Sequence, residues 1–412
     1  MRILMTSYEF PPIGGGGGAV VAGLSRQLVS RGHEVDLVTM SFRGCPRREE
    51  LDGVRVHRVP CIRRLKQVCT TPEAFTYLAA SLPIIRGLLA RNHYDVTHAH
   101  FILPDGLLAW WIWRTTGLPY VITAHGSDVP GFNPHRLRLA HRVVRPLWKM
   151  VVRGAKRIIC PSHVLEQLVL AQRPGAQKTL VIPNGLEVGD YSPNGRELRI
   201  LVVTRMLERK GVQHLLTSIA QSPVEPEVHI VGDGPYLPEL KRQAQELASP
   251  PKFWGWLDNR SPQLRGLYEA SSIFVFPSEA ENFPVVLLEA MASGLAIITT
   301  EGTGCAEVVG DAGLLVPARN PQAISRALKQ LIEDPALRAS LGAAARRRIE
   351  ENFTWSAVAG RYVDEYARHG APGGAQHSRL LLDPSAPTAA GSSIVRLAAV
   401  AASTAGYLAQ FS

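Results

Sequence analysis

The chain has 412 residues, of which 46% are hydrophobic and 19% are charged. This composition is that of a folded protein, and it excludes a disordered chain; the length favours two domains over one core. No segment supplies the ~18–20 uninterrupted apolar residues that a membrane-spanning helix requires. The five cysteines form no C-x-x-C pair, so we expect neither a disulfide framework nor a zinc site.

The formal net charge of +10 is concentrated in the first half, where residues 1–190 carry 24 Lys/Arg against 13 Asp/Glu. Much of the excess falls in Arg55–Arg91 and Arg136–Arg157. A basic face attracts phosphate, anionic lipid or nucleic acid, and a solvated surface without a partner is the alternative. The N-terminus has no signal-peptide pattern, so we expect a cytoplasmic protein that can lie on the inner face of the membrane.

The chain begins with a predicted β-α-β unit. Arg2–Ser7 is a buried strand, a helix runs from about Ala19 to Arg31 after the glycine run Gly14–Gly18, and Glu34–Met40 is the second strand. The next strand-like runs, mostly separated by helical stretches, are Val54–Val59, Val96–His100, Tyr120–Ala124, Arg157–Cys160 and Leu180–Ile182. This alternation predicts a parallel sheet with helices on both faces.

Residues 182–194 are rich in Pro, Gly and Asn and are predicted to be a linker. The later strand-like runs are Ile200–Thr204, Val228–Val231, Ile273–Phe276 and Ala296–Thr300. We therefore predict two Rossmann-like domains, 1–185 and 195–355, facing across a cleft, and a helix at 356–370 that returns to the first domain. Residues 371–412 are dominated by small residues and proline and are predicted to be disordered.

The glycine run after the first strand can present backbone N–H groups to an anion. A nicotinamide cofactor is the rival interpretation, but it requires an acidic residue at the end of the second strand. That strand ends Val38-Thr39-Met40. The sequence therefore disfavours a dinucleotide-dependent dehydrogenase.

Histidines follow two strands of the first domain. His125 comes directly after an apolar strand, beside Gly126 and Asp128, so we expect it to contact a ligand at the carboxyl end of the sheet. His98 and His100 flank one alanine and share one face of their strand, a spacing that suits a metal. No third ligand is evident, so we expect no metal there.

In the second domain, Arg205 and Lys210 follow a strand and lie five residues apart. Two cations on such a loop can converge on one diphosphate, and two solvated surface charges are the alternative.

The most informative segment runs from Ser278 to Gly294. Pro284 suits the first turn of a helix, and Gly294 suits the position just past its end. Glu281 then lies on the loop before the helix, and Glu289 lies inside it, roughly 7 Å beyond Pro284. A carboxylate in this otherwise apolar helix needs a partner, either a sugar or ribose diol or a local arginine.

The spacing Glu281-x₇-Glu289, followed by Ala-Met-Ala-Ser-Gly, resembles the signature of the family-4 retaining glycosyltransferases, which have the GT-B fold. The resemblance covers about residues 2–367. Its other motifs are Phe10-Pro-Pro-Ile-Gly-Gly, Arg31-Gly-His-Glu-Val35, Asp95-Val-Thr-His-Ala-His100, Thr123-Ala-His-Gly-Ser-Asp128, Val181-Ile-Pro-Asn-Gly185, Arg205-x₄-Lys210-Gly, Val231-Gly-Asp-Gly-Pro235, Phe253-Trp-Gly255 and Phe276-Pro-Ser278.

By that resemblance, Arg205 and Lys210 bind the donor diphosphate, Glu281 approaches the transferred sugar, and His125 contacts a sugar hydroxyl. The remaining donor-binding residues that it implies are Gly15, Gly16, Asn184, Gly232, Asn282, Phe283 and Glu289, of which Glu289 holds the ribose. Asn282 stands where the family usually has glycine.

The resemblance implies a retaining glycosyltransferase that moves a hexose-type sugar from a nucleotide diphosphate donor to a hydroxyl of a glycan or lipid-linked acceptor. No paired acidic motif is placed to hold a metal, so we expect no metal and no cofactor. We also expect no nucleic-acid partner. A sugar-nucleotide epimerase, a phosphorylase or a non-catalytic carbohydrate-binding protein on the same fold are the alternatives.

Overall fold

A computed structural model describes residues 1–66, 69–132, 138–172, 178–191, 197–258 and 261–370. These residues form two compact α/β units: Met1–Pro183 together with the chain from Val358 onward, and Asn184–Ala357. The predicted disordered tail, residues 371–412, lies outside the described residues.

The first unit contains one sheet of eight strands. They are β1 Arg2–Ser7, β2 Glu34–Met40, β3 Arg48–Leu51, β4 Val54–Val59, β5 Val96–His100, β6 Tyr120–Thr123, β7 Arg157–Cys160 and β8 Thr179–Val181. The strand order is β3-β4-β2-β1-β5-β6-β7-β8, and only the β3–β4 pair is antiparallel. The order extends in both directions from β1, which confirms the doubly wound sheet that the alternating pattern predicted.

Helices cover this sheet. They are α1 Gly16–Ser30, α2 Thr71–Arg91, α3 Asp105–Thr116, α4 Arg138–Gly154 and α5 His163–Ala171. None of the helices in the described ranges is both long and apolar enough to cross a bilayer.

The second unit repeats the design with a parallel sheet of six strands in the order β11-β10-β9-β12-β13-β14. They are β9 Ile200–Val203, β10 Val228–Val231, β11 Lys252–Gly255, β12 Ile273–Phe276, β13 Ala296–Thr300 and β14 Gly313–Val316. The helices that follow α5 along the chain are α6 Val212–Gln221, α7 Leu237–Ala244, α8 Pro262–Ala270, α9 Val285–Ala292, α10 Gly304–Val309, α11 Pro321–Glu333, α12 Pro335–Asn352 and α13 Trp355–His369.

Strand β9 shows why the central strands are continuously apolar. Leu201 and Val203 pack in one core cluster of the second unit, whereas Ile200 and Val202 pack in another. Because successive side chains of a strand point to opposite faces, the sheet is buried on both sides.

Three strands are absent from the sequence prediction, namely β3, β11 and β14. Each lies at an edge of its sheet and is only partly buried. An edge strand has one neighbour and much solvent contact, so it lacks the apolar run by which the central strands are recognised.

Helix α1 starts at Gly16, three residues earlier than predicted. A Cβ atom on Gly17 would lie 2.7 Å from the Phe101 ring, so glycine is required for the helix to approach that side chain. The glycine run is therefore partly a first helical turn and not only a loop.

Helix α13 packs on the first unit through polar contacts of its second half. The Tyr366 hydroxyl lies 2.7 Å from Nδ1 of His98, and Arg157 Nε donates to Glu365 at 2.8 Å. Tyr366 and Glu365 are both buried.

Candidate active site

In the second unit, the two loops that carry the predicted phosphate and sugar contacts are neighbours. Strand β9 pairs with β12, while β10 and β11 extend to one side of β9 and β13 and β14 to the other side of β12. This reversal point is where open parallel sheets bind ligands, at the carboxyl ends of the strands. Arg205 and Lys210 follow β9, and Glu281 follows β12.

Lys210 and Glu281 form an ion pair, and each side chain is only 12% exposed. Ser278 Oγ donates a hydrogen bond of 2.7 Å to the same carboxylate oxygen. The Lys210 ammonium also lies 5.5 Å from the centre of the Phe276 ring. The residues predicted to bind the diphosphate and the sugar are thus in direct contact, 71 positions apart in sequence.

Arg205 contrasts with Lys210. It is partly buried just past the end of β9, yet its guanidinium has no carboxylate partner among the residues that the structure describes. An arginine held in a partly buried position without a partner is available for an anion.

Glu289 is the fifth residue of α9 and is 4% exposed. The Tyr268 hydroxyl donates to its carboxylate at 2.9 Å, and Tyr191 donates to it as well. Burial nevertheless raises the pKa of Glu289 to about 7. The partner in this structure is a pair of tyrosines, not the arginine that sequence analysis left open.

The loop between β12 and α9 is held by backbone contacts. Gly304 donates to the Glu281 carbonyl at 3.0 Å, and a Cβ atom on Gly304 would lie 1.5 Å from the Asn282 carbonyl oxygen. The Asn184 side-chain amide donates to the Phe283 carbonyl at 3.2 Å, and its own Oδ1 is buried without a described partner. Asn184, Asn282 and Phe283 therefore lie together around the loop that positions Glu281.

Gly232 directly follows β10, next to this site. Its φ is +131°, and an added Cβ atom would lie 1.8 Å from the Thr204 carbonyl oxygen. The glycine lets the end of β10 approach the residue that precedes Arg205, so any larger residue displaces that loop.

In the first unit, His125 lies beyond the end of β6 and packs against Phe101, with 4.3 Å between ring centres. Its Nε2 is 3.2 Å from Nδ1 of His100. Burial lowers the pKa of His125 to about 3, so the ring is neutral at pH 7 even though part of it remains accessible.

His100 continues inward from His125 to His98, whose ring centre is 4.1 Å away. The two ring nitrogens of His98 lie 2.9 Å from the Thr123 hydroxyl and 2.7 Å from the Tyr366 hydroxyl. Both nitrogens are therefore engaged by hydroxyls. The three imidazoles form a continuous row from His125, beyond the carboxyl end of β6, to His98, which contacts Tyr366 of α13.

Asp128 holds the backbone of the loop that carries His125. Its carboxylate accepts backbone N–H groups of His125 at 3.0 Å, Gly126 at 2.9 Å and Ile102 at 2.7 Å. These bonds join the loops after β5 and β6. The carboxylate is buried, and burial raises its pKa.

The predicted anion site at the start of α1 contains a carboxylate of the protein. Gly15 caps the helix and Gly16 begins it, and the Gly15 N–H donates to Glu9 Oε2 at 3.3 Å. Glu9 was not predicted at this site, because the chain has to reverse through Pro11 and Pro12 to bring its carboxylate to the start of the helix. Phe101 contacts both α1 and the His125 ring, and it was missed because these contacts join segments that are far apart in sequence.

The predicted residues therefore form two groups, one in each unit. Arg205, Lys210, Glu281 and the surrounding donor residues lie at the reversal point of the second sheet. Gly15, Gly16 and His125 lie at the carboxyl ends of the strands of the first sheet, near the reversal point where β1 and β5 pair.

Comparison with protein families identifies the chain. Residues 14–189 match the model described as Glycosyltransferase Family 4, and residues 188–348 match the model described as Glycosyl transferases group 1. The chain belongs to the family-4 glycosyltransferases. It is therefore a transferase, which disfavours the epimerase and non-catalytic alternatives, and the two matches meet near the boundary between the two units.

Named relatives extend over most of this glycosyltransferase. Alpha-maltose-1-phosphate synthase from Mycolicibacterium smegmatis is 27% identical over 402 residues, which cover 89% of this chain and 99% of the relative. Glycogen synthase from Mycobacterium tuberculosis is 28% identical over 399 residues, which cover 87% and 92%.

Solved structures share the GT-B fold. Sucrose-phosphate synthase from Thermosynechococcus elongatus superposes with a TM-score of 0.77 at 24% identity, covering 89% of this chain and 98% of that one. HepE from Anabaena, solved with UDP and glucose, superposes with a TM-score of 0.71 at 19% identity, covering 89% and 99%.

Proposed function

We propose that this glycosyltransferase is retaining and metal-independent, and that it moves a hexose-type sugar from a nucleotide diphosphate donor to a hydroxyl of a glycan or lipid-linked acceptor. The observation that carries the proposal is the pair of loops after β9 and β12: Arg205, which has no carboxylate partner among the described residues, lies on the same loop as Lys210, and Lys210 is paired with Glu281 of the other loop. We place its role in glycan or polysaccharide biosynthesis.

The charges of the second unit suit the breaking of a sugar–diphosphate bond. Negative charge develops on the leaving diphosphate, and fixed cations stabilise that charge most where it is largest. Arg205 offers a planar fork of donors, whereas Lys210 has three N–H donors and can keep Glu281 while it binds a phosphate oxygen. These two cations supply the positive charge that a metal ion would otherwise provide to the diphosphate.

Glu281 and His125 are proposed to act on the transferred sugar. The Glu281 carboxylate, held by Lys210 and Ser278, accepts hydrogen bonds from sugar hydroxyls. The neutral His125 ring offers a hydrogen bond to a sugar hydroxyl without adding a positive charge. Gly15 and Gly16 supply backbone N–H groups for the phosphates or the acceptor, in place of the contact that the Gly15 N–H makes with Glu9.

Retention follows from attack on the face from which the diphosphate leaves. The acceptor oxygen bonds to the anomeric carbon, the bond from that carbon to the phosphate oxygen breaks, and the acceptor proton passes to a phosphate oxygen of the donor. No separate base and no covalent enzyme intermediate are required.

A nucleotide donor is supported by Glu289 and by the ligands of similar structures. HepE was solved with UDP and with UDP-glucose. A ribose diol can donate two hydrogen bonds to a carboxylate such as Glu289, with Gly232 bordering the base. The basic first half supports an anionic or membrane-presented acceptor and a cytoplasmic enzyme that lies on the inner face of the membrane.

The test is thermal unfolding of the wild type with UDP, GDP, ADP and their sugar conjugates, with and without a chelator. A nucleotide that binds the native state raises the unfolding midpoint according to its concentration relative to its Kd. Glu289→Gln keeps the shape of the buried side chain and should abolish most of the shift. Glu333→Gln, at an exposed position on α11, should leave it unchanged.

Two results would contradict the proposal. If millimolar nucleotides shift neither protein, the donor site is wrong. If the shift appears only with a divalent metal, the metal-independent mechanism is wrong.

A further inference from the structure

The first unit has a cavity of about 800 Å³ between α3 and α4. Trp110 and Trp113 of α3 line one side, and Arg145, Lys149 and Arg153 of α4 line the other. None of these residues belongs to the candidate active site.

Helix α4 has two distinct faces along this region. Trp148, Val151 and Val152 are buried in the core of the unit. Arg145, Lys149 and Arg153 are spaced four residues apart, so they lie on one stripe of the helix, along the cavity. The helix therefore has an apolar face in the core and a basic stripe along the cavity.

The positive charge of the stripe is not balanced locally. The segment from Val129 to Leu165 contains eight Lys/Arg and no Asp/Glu. Within the described part of the chain, neither Arg145, Lys149 nor Arg153 has an ion-pair partner. Three parallel cations without acids repel one another and favour a bound anion.

The tryptophans form an apolar wall next to these cations. Both indoles are partly buried, and a Cβ atom on Gly154 would lie 3.2 Å from Trp110 and 3.4 Å from Trp113. The glycine thus lets the end of α4 approach the two rings. Tryptophan beside Lys and Arg is the combination found where proteins meet the interface between lipid headgroups and hydrocarbon.

The cavity and His125 lie at opposite ends of strand β6. Gly154 and Trp113 are close to Tyr120, the first residue of β6, whereas His125 follows the last residue of the same strand. A ligand in the cavity therefore does not compete with one at the carboxyl ends of the strands.

We propose that this cavity binds the phosphate headgroup of an anionic membrane lipid. Arg145, Lys149 and Arg153 contact the phosphate, and Trp110 and Trp113 lie at the level of the glycerol backbone. The inference rests on the membrane association proposed above and gives it a defined site, so that one headgroup is bound in a cavity and not merely attracted to a charged face.

The experiment measures co-sedimentation of the full chain with vesicles of phosphatidylcholine alone and of equal parts phosphatidylcholine and phosphatidylglycerol. The test variant is Arg145→Ala/Lys149→Ala/Arg153→Ala. The control is Arg326→Ala/Lys329→Ala/Arg347→Ala, which removes the same charge from exposed positions of the second unit. Thermal unfolding checks that each variant is folded.

We expect the wild type and the control to bind the anionic vesicles and not the neutral ones. The test variant should bind roughly 100-fold more weakly, because each basic residue near an anionic surface contributes about 1 kcal/mol and each 1.4 kcal/mol is tenfold. Trp110→Ala/Trp113→Ala should weaken the binding that remains at high salt, where electrostatic attraction is screened.

The inference is overturned if both triple variants weaken binding equally, since that result indicates diffuse attraction. It is also overturned if the wild type does not bind anionic vesicles at low salt, or if soluble glycerol phosphate occupies the cavity as tightly as the vesicles do. The nucleotide-induced thermal shift of the test variant reports on the donor site separately, so failure here leaves the proposed transferase reaction unaffected.

Discussion

The two units share one architecture but differ in how they hold polar groups at the carboxyl ends of their strands. In the second unit, charges lie at the reversal point of the sheet: Arg205 has no carboxylate partner in the described ranges, and Lys210 is paired with Glu281. In the first unit, burial keeps the chain His125–His100–His98 neutral by lowering each pKa. A fixed charge suits a diphosphate leaving group, whereas a neutral hydrogen-bonding group suits sugar hydroxyls, so the same fold serves two kinds of ligand.

The largest expected effect on the charged site of the second unit comes from Lys210→Met. Loss of one preorganised donor to a developing anion lowers kcat by 100- to 1,000-fold in other enzymes, and we expect roughly 1,000-fold in kcat/KM because Glu281 also loses its partner. Steady-state sugar transfer measures the effect, with Lys329→Met as the control. Lys210→Met/Glu281→Gln should recover thermal stability but not activity; recovery of both would contradict the phosphate role.

Glu289→Gln tests whether the second unit holds an ionisable carboxyl group at its ribose position. The pKa of Glu289 is about 7, against an ordinary value of 4.5, so the wild type loses stability as pH rises from about 4.5 to 7. The glutamine variant has no carboxyl group to titrate at this position. We therefore expect its free energy of unfolding, relative to that of the wild type, to increase by about 3 kcal/mol between pH 4.5 and pH 7. Urea unfolding across that range measures it, with Glu333→Gln as the control.

The same residue predicts the pH dependence of donor binding. A ribose that donates to the carboxylate favours its ionised form, so nucleotide affinity should rise as pH passes through 7. Comparison with Glu289→Gln removes the contribution of the nucleotide's own phosphate. Equal pH profiles for the two proteins would show that the ribose does not reach Glu289.

Arg205→Met separates binding from stability. We expect roughly 100-fold lower kcat/KM from the loss of one leaving-group contact. The melting temperature should hardly change, because no carboxylate in the described residues is left unpaired. A large loss of stability would instead give Arg205 a structural role and weaken the contrast with Lys210.

His98→Gln addresses the neutral chain of the first unit. The pKa of His98 is about 3 instead of 6.5, so the wild type is fully stabilised above pH 6.5 and loses stability as the pH falls below that value. Between pH 7 and pH 5, His98 lowers the free energy of unfolding of the wild type by about 2 kcal/mol. The variant should not show this part of the loss. Unfolding at pH 5 and 7 tests this, with the exposed His93→Gln as the control.

Much of both sheets was predictable because their central strands are continuously apolar. Arg2–Ser7, Glu34–Met40, Val96–His100 and Ile273–Phe276 were predicted with the bounds that the structure shows. Three of the four edge strands, β3, β11 and β14, were not predicted, since solvent contact weakens that pattern; the fourth, β8, was predicted one residue late as Leu180–Ile182. Helix α9 was also predicted from its ends, since Pro284 precedes it and Gly294, with a φ of +67°, follows it.

The sequence by itself determined which residue types stand at the ends of which strands, because strand periodicity and turn residues are local properties of the chain. It placed Arg205 and Lys210 after one strand and Glu281 and Glu289 around one helix. Only the tertiary structure decided their partners: Glu281 for Lys210, Tyr268 and Tyr191 for Glu289, and Tyr366 for His98. These contacts join residues that are 21 to 268 positions apart in the chain, and they form because strand order and burial bring the side chains together.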